Sequence, residues 1–395
     1  VLRVLSLGTL FPNPARRSLG PFVASQMQAV AARGDVDLVM VNPLGIPPWP
    51  LSLLAQYAPL REIPHTSRLG PLTVHHPRFT LIPRLGAQSN PVRIAAAVLP
   101  LARRLHAQKP FDLVDAQFFF PDGPAAAQIA AALGLPLTIK ARGADIHHWG
   151  AQAKSGRQVL AAARQAAALL AVSEALKADM IALGMPAERI MVHYTGLDHA
   201  RFRPIERSAA RAAIAVDLGM PTGGVLLATT GALIERKGQR LVIQALAELG
   251  RGDVRLALAG KGEDEPALRA LAEKLGLADR IHFLGQVGHD RLPQLLAAAD
   301  AMVLPSASEG LANAWVEALA CGTPLVIPPI GGAQEVVRDQ TAGRIAERSP
   351  KGIAAALREL LGDPPAQQAV AANAARFSWE ANAEALVEFW REVAA

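Results

Sequence analysis

Apolar residues along the chain follow two alternating rhythms. Short runs rich in Val, Leu and Ile read as strands: LRVLSLG, DLVMV, DLVDAQ, LTIKARG, LLAVS and RIMVHY in the first half, VLLATTGAL, VRLALAG, IHFLG, AMVLPS and PLVIPP in the second. Between them, stretches such as PFVASQMQAVAARG and ALRALAEKLG repeat apolar residues at three and four, the period of a helix with one buried face. Strand and helix in alternation predict parallel sheets covered by helices, here two doubly wound α/β domains in series. Residues 196–221 carry Gly, Pro and mixed charge with no clear strand, which puts the joint there. The expected division is an N-terminal Rossmann-like domain over 1–200, a second over 201–376, and a terminal helix over 377–395. That helix presents Trp379, Leu386, Phe389 and Trp390 for docking across the joint. A ligand is expected between the two domains.

Composition narrows the classes. At 395 residues and 51% apolar the chain can bury a large core and is globular. No apolar run has membrane-spanning length, and Pro12 and Pro14 interrupt the first run too early for a signal peptide, so a cytoplasmic protein is expected. A single cysteine, Cys321, excludes internal disulfides and reads as a small core residue. Charge is uneven. Residues 1–200 hold 19 Lys+Arg against 11 Asp+Glu, net +8, and the remainder 21 against 23, net −2, which sum to +6. A basic half suits an anionic partner: nucleotide phosphates, a lipid phosphate or an anionic membrane surface. Nucleic acid is not expected, because aromatics are only 5% and no RNA-binding signature occurs.

Three loops at predicted strand ends carry the candidate chemistry. In SEGLANAWVEALACGTP, Glu309 and Gly310 precede a helix starting near Ala312, whose N-terminus with Leu311, Ala312 and Asn313 suits a phosphate. Glu317, about 7–8 Å further along that helix, is spaced from the terminus as a ribose is from its phosphate. The alternative makes Glu309 a turn acid favoured by the dipole and Glu317 a paired structural acid. In TTGALIERKGQR, Arg236 and Lys237 at a strand-to-helix turn suit a leaving diphosphate, or are solvated cations. In the first half, PNPARRSLGP offers Gly20 for close backbone approach. TIKARGADIHHW offers Arg142 and Asp145, the latter alternatively a helix cap. Asp35-Val36-Asp37 reads as a turn, and the pairs His75-His76 and His147-His148 are expected to point apart on strands, so no metal site is expected. The absence of GxGxxG argues against a nicotinamide or flavin enzyme.

The spacing of EGLANAWVE, acid, seven residues, acid, followed by ALACGTPLV and GGAQEVV, resembles the retaining, nucleotide-sugar-dependent glycosyltransferases of family 4 with the GT-B fold. SLGTLFP, RGADI, VSEALKADMIALGMPAERIMVHYTGLDHARFRP, GALIERKG, LAGKGED, IHFLGQV and ADAMVLPSASEG extend the resemblance over nearly the whole chain, in family order. The resemblance implies that Glu317 holds the nucleotide ribose, Glu309 meets donor-sugar hydroxyls, and Arg236 with Lys237 holds the diphosphate. It also implies assistance from the backbone of Leu311 and Ala312, and from Gly20 in the other domain. Many relatives read Gly-Arg where this chain has Gly231-Ala232, so Arg236 would supply that cation; Arg142 stands where many relatives carry His. Implied is metal-independent sugar transfer with retention, the nucleoside diphosphate sugar being a substrate and no resident cofactor being needed. Asp145 is a candidate for orienting a bound sugar. A sugar-nucleotide epimerase, a phosphorylase or a non-catalytic nucleotide-sugar-binding protein remain the alternatives. Acceptor selection is expected in the irregular stretch 42–92, where Pro47, Trp49, His75, His76, Arg78 and Arg84 suit a saccharide or lipid-linked saccharide at the inner membrane face.

Overall fold

The structure, a computed structural model, describes every residue except Ser18, Arg84 and His289. The chain divides into two compact units, Val1–Gly196 with Trp379–Ala395, and Leu197–Ser378.

In the first unit eight strands form one sheet in the order Ile190–Val192, Ala168–Ala171, Leu137–Ala141, Leu113–Ala116, Leu2–Leu7, Val36–Val41, Leu72–His75, Thr66–Leu69. All pairings are parallel except the last, a hairpin that turns at Gly70 in the left-handed region, φ 57°. The stretch expected to be irregular therefore supplies two sheet strands. It also supplies a separate parallel pair, Leu44–Ile46 with Arg78–Thr80, which extends beyond the carboxyl ends of Val36–Val41 and Leu72–His75. Asp35 and Asp37 are structural: Asp35 pairs with Arg33 and Arg391, and Asp37 with Arg3 and Lys109. His147 and His148, expected on a strand, lie instead on a short π-helical segment, Asp145–Gly150.

The terminal helix Trp379–Ala394 packs within this first unit. Ala383, Leu386, Val387 and Trp390 join Val4, Phe11, Val23, Met27 and Leu113 in one buried cluster. Gly196 sits so close to Trp379 that a Cβ there would lie 2.2 Å from its ring.

The second unit has six parallel strands in the order Ile281–Gly285, Val254–Ala259, Val225–Thr230, Ala301–Val303, Leu325–Ile327, Gly343–Ile345. Helices cover both faces, which is why its central strands read as unbroken apolar runs rather than alternating ones. The sequence order reverses between Val225–Thr230 and Ala301–Val303. In open α/β sheets the crevice beyond the carboxyl ends of such a strand pair is where ligands settle.

Candidate active site in the second unit

Both loops leaving that strand pair carry predicted site residues, and the fold brings them together. After Val225–Thr230 the chain passes Gly231, φ 132°, and makes one 3-10 turn, Glu235–Lys237. Gly238, φ 75°, then starts the helix Gln239–Leu249; a Cβ there would lie 2.4 Å from the Pro305 carbonyl oxygen, so only glycine allows this approach of the two loops. The Ala307 amide donates to the Arg236 carbonyl at 2.7 Å, tying the loops at a second point.

Lys237 Nζ consequently lies 2.5 Å from Glu309 Oε1, with both side chains largely shielded, 16% and 12% exposed. The Arg236 guanidinium donates to the Ser308 carbonyl at 2.5 Å and stands 3.5 Å from the same Glu309 oxygen. Two cations thus converge on one carboxylate at the sheet edge. Gly310, Leu311 and Ala312 follow as a buried turn, and the helix Asn313–Ala320 begins with Ala312 as a cap that offers no side-chain acceptor. The turn is held from the far side by Gly331 and Gly332: the Gly332 amide donates to the Gly310 carbonyl at 2.8 Å. A Cβ on Gly331 would fall 2.2 Å from the Glu309 carbonyl oxygen.

Glu317 lies on this helix without a hydrogen bond or ion pair to its carboxylate among the described residues. Its side chain is partly exposed, yet surrounding protein displaces enough water to push its pKa from 4.5 up to about 7, against the opposing pull of Arg201. An unpartnered carboxylate held in low-dielectric surroundings is poised to accept hydrogen bonds from a ligand. Trp315 Nε1, two residues earlier on the same helix, and the hydroxyls of Thr230 and Ser306 at the ends of the two switch-point strands are also buried without partners. These polar atoms were not singled out from sequence, and Gly331-Gly332 entered there only as the start of GGAQEVV, without a bracing role. Among the described residues no cluster of three or more His, Cys, Asp or Glu is placed to hold a metal ion.

The first-unit candidates have different surroundings. Asp145, a candidate for orienting a bound sugar or alternatively a helix cap, is engaged by backbone amides. Its carboxylate is fully buried and accepts from the amides of Phe119 at 3.0 Å, Arg142 at 3.0 Å and Gly143 at 2.8 Å, so it holds its own loop in place. Burial raises its pKa, and these amide bonds oppose the rise. Arg142 donates to the Gln117 carbonyl at 2.8 Å and to the side chains of Gln117 and Gln26 at 2.6 and 2.9 Å; desolvation lowers its pKa to about 10. Gly20, φ 62°, caps the helix Pro21–Ala32, and the approach it permits is to Leu10, whose carbonyl oxygen a Cβ would meet at 2.4 Å. Gly20→Ala is therefore expected to destabilise the first unit through both clash and left-handed strain, lowering its melting temperature in a thermal scan while the second unit's transition stays put. Arg84 lies outside the described residues.

Comparison with known proteins adds to this geometry. The family model described as glycosyl transferases group 1 matches residues 211–377, and that described as glycosyltransferase family 4 matches residues 57–201. The D-inositol 3-phosphate glycosyltransferase of Kineococcus radiotolerans is 30% identical over 326 residues, covering 73% of each chain. That of Salinispora arenicola is 35% identical over 225 residues, 52% of this chain and 50% of the relative. The aligned part thus spans about half the length of most of the curated relatives it matches. Among solved structures, HepE of Anabaena in complex with UDP and glucose superposes with a TM-score of 0.75 at 21% identity, covering 99% of this chain and 100% of that one. Sucrose-phosphate synthase of Thermosynechococcus elongatus gives 0.78 at 19% identity, covering 99% of each. Identities this low show the fold.

Proposed function

The chain belongs to the family 4 glycosyltransferases and has the GT-B fold of two Rossmann-like domains, and from that premise we propose that it moves a sugar from a nucleoside diphosphate sugar to an acceptor hydroxyl, with retention at the anomeric carbon and without a metal ion. The observation that carries this reading is the unpartnered Glu317 carboxylate on the helix whose N-terminus adjoins the Lys237–Glu309 pair at the switch point of the sheet. A ribose diol would donate to Glu317, and the diphosphate would lie toward the helix terminus. There it would compete with Glu309 for Arg236 and Lys237, freeing the Glu309 carboxylate to accept from sugar hydroxyls. Developing negative charge on the departing diphosphate would then be met by two cations already in place. The buried hydroxyls of Thr230 and Ser306 are further donors at the same edge. UDP in the HepE complexes makes uridine nucleotides the first donors to try. D-inositol 3-phosphate in the names of the curated relatives supports an acceptor carrying an anionic group, and the cationic first half supports the same. Synthesis of a cell-surface polysaccharide or glycolipid, with the enzyme peripheral to the inner membrane face, fits that charge.

The test is isothermal titration of the protein with UDP sugars, followed by assay of transfer to added acceptors. Glu317→Gln is expected to weaken donor binding about 10- to 100-fold, the equivalent of losing a charge-assisted pair of hydrogen bonds. Donor affinity of the unaltered protein is expected to rise with pH through about 7, as Glu317 ionises. Stability should move the other way, because the folded pKa lies above the ordinary value. Ionising Glu317 costs stability that is lost progressively as pH rises from about 4.5 to about 7, and Glu317→Gln should remove that slope. Donor binding indifferent to both the substitution and pH overturns the ribose assignment. Binding without turnover, or turnover without an acceptor, would instead favour a binding protein or an epimerase.

A further inference from the structure

A second concave site lies wholly within the first unit. A pocket of about 810 Å³ opens beside the short parallel pair Leu44–Ile46 and Arg78–Thr80, lined on its apolar side by Ile46, Pro47, Leu53 and Phe79 and on its polar side by Arg61, Glu62 and Arg78. Its surroundings are unusual in two respects.

The first is unneutralised positive charge. Between Asp37 and Asp112 the chain carries 8 Lys+Arg and a single acid, Glu62. Four of the arginines in or beside the pocket have no carboxylate partner among the described residues. Arg16 donates to the Gln56 carbonyl at 3.1 Å, Arg78 to those of Arg61 and Ile63 at 2.9 Å each, and Arg93 to that of Thr80 at 3.0 Å, while Arg61 is exposed. Arg3, Arg33, Lys109 and Arg391 of this unit are paired with aspartates, whereas Arg189, like Arg78, donates to backbone carbonyls. Guanidiniums steadied by backbone carbonyls and left without counter-ions are preorganised for phosphate.

The second is exposed apolar surface at the pocket's mouth. Trp49 is 79% exposed, Leu53 56%, Leu54 48% and Leu51 43%. They occupy one short segment, Trp49–Leu54, between the strand that lines the pocket and the helix that carries Arg61. Indole and aliphatic side chains flanked by arginines match the interfacial zone of a bilayer, where apolar groups enter the acyl boundary and cations meet lipid phosphates.

We infer that this pocket binds the phosphate-bearing head of a membrane lipid, with Trp49, Leu51, Leu53 and Leu54 entering the bilayer around it. On the sugar-transfer reading above, on which this last step rests, the lipid is the acceptor, with Glu62 available to a head-group hydroxyl.

The test uses the full chain with phosphatidylcholine vesicles, with and without phosphatidylglycerol. Co-sedimentation is expected with the anionic vesicles, weakening as salt is added. Arg61→Ala should weaken it about fivefold, the effect of about 1 kcal/mol per cation at an anionic surface, and the Arg16→Ala/Arg61→Ala pair about 25-fold. Trp49→Ser should also weaken it, with loss of a fluorescence blue shift on binding; at 79% exposure that change leaves the core untouched. UDP-sugar titration of each variant should be unaltered, because these residues lie outside the second unit. No vesicle binding by the unaltered protein, or binding insensitive to these substitutions, overturns the proposal. So does competition by soluble inositol phosphate that abolishes binding while Trp49→Ser has no effect, which would make the pocket a site for free phosphates. Vesicle binding without any sugar transfer would sink the transfer reading and leave the lipid site standing.

Discussion

Lys237→Ala is expected to slow sugar transfer about 10²- to 10³-fold, with a smaller change in the concentration of donor needed for half-maximal rate. The reasoning starts from how firmly the lysine is held. Its amide donates to the Ile234 carbonyl at 2.9 Å, and the following Gly238 is locked against Pro305, so the ammonium group has a fixed origin. In the ligand-free protein that ammonium rests on Glu309. A departing diphosphate gains negative charge as the bond to the sugar breaks, so a positioned cation stabilises the transition state more than the bound donor. That makes the maximal rate the parameter that suffers. The pair is largely shielded, but Arg236 stands 3.5 Å from the same Glu309 oxygen and continues to neutralise it, so the melting temperature should fall only modestly. Lys237→Arg keeps the charge but replaces a compact ammonium with a planar fork, and partial recovery is expected. Steady-state kinetics with thermal scans of both variants decide the matter: a maximal rate within a few-fold of the unaltered enzyme would reduce Lys237 to a structural partner of Glu309.

Trp390→Ala should produce the largest loss of stability, about 3–5 kcal/mol, the cost of removing a fully buried indole. The ring lies in the cluster formed with Phe11, Val23, Met27 and Leu113, and its Nε1 donates to Asp115 at 3.3 Å. Asp115 is itself entirely buried, and its carboxylate also accepts from Ser6 at 2.8 Å, Thr138 at 2.8 Å and Gln117 at 2.6 Å. Burial pushes its pKa up while these four donors restrain it, so removing one adds an electrostatic penalty to the cavity. For a unit of this size the melting temperature should fall by about 10 °C. Calorimetry should show the drop in the transition of the first unit alone, and Trp390→Phe should recover most of it by restoring packing without the donor. Equal shifts in both transitions would mean that the helix is not specific to the first unit.

The alternation of apolar runs and helical periods made the parallel, doubly wound architecture legible, because strands buried on both faces cannot be mistaken for amphipathic ones. The hairpin Thr66–Leu69 and Leu72–His75 escaped because its strands are four residues long and the outer one alternates between exposed and half-exposed positions, leaving no apolar run to detect. Gly343–Ile345 escaped for similar reasons, as a three-residue edge strand. Within the site, the relation of Glu309 to Glu317 was readable because one turn and one helix connect them. The meeting of Lys237 with Glu309, 72 residues apart, was not, since it depends on which strands become neighbours at the switch point. Asp145 shows the converse difficulty. An acid after a Gly at a strand end serves a ligand or its own backbone with the same sequence, and only the amide directions distinguish the two.

The placement of Trp379–Ala394 with the first unit bears on biogenesis. Leu197–Ser378 is continuous and can close as soon as it has been synthesised, at about 5–20 residues per second. The first unit must wait for Trp379–Ala394, made after the whole of the second unit, to cover Val23, Met27 and Leu113. On the ribosome, therefore, the later-made domain is free to mature first, and the earlier-made one holds an apolar face open to chaperones until Trp379–Ala394 has followed it out.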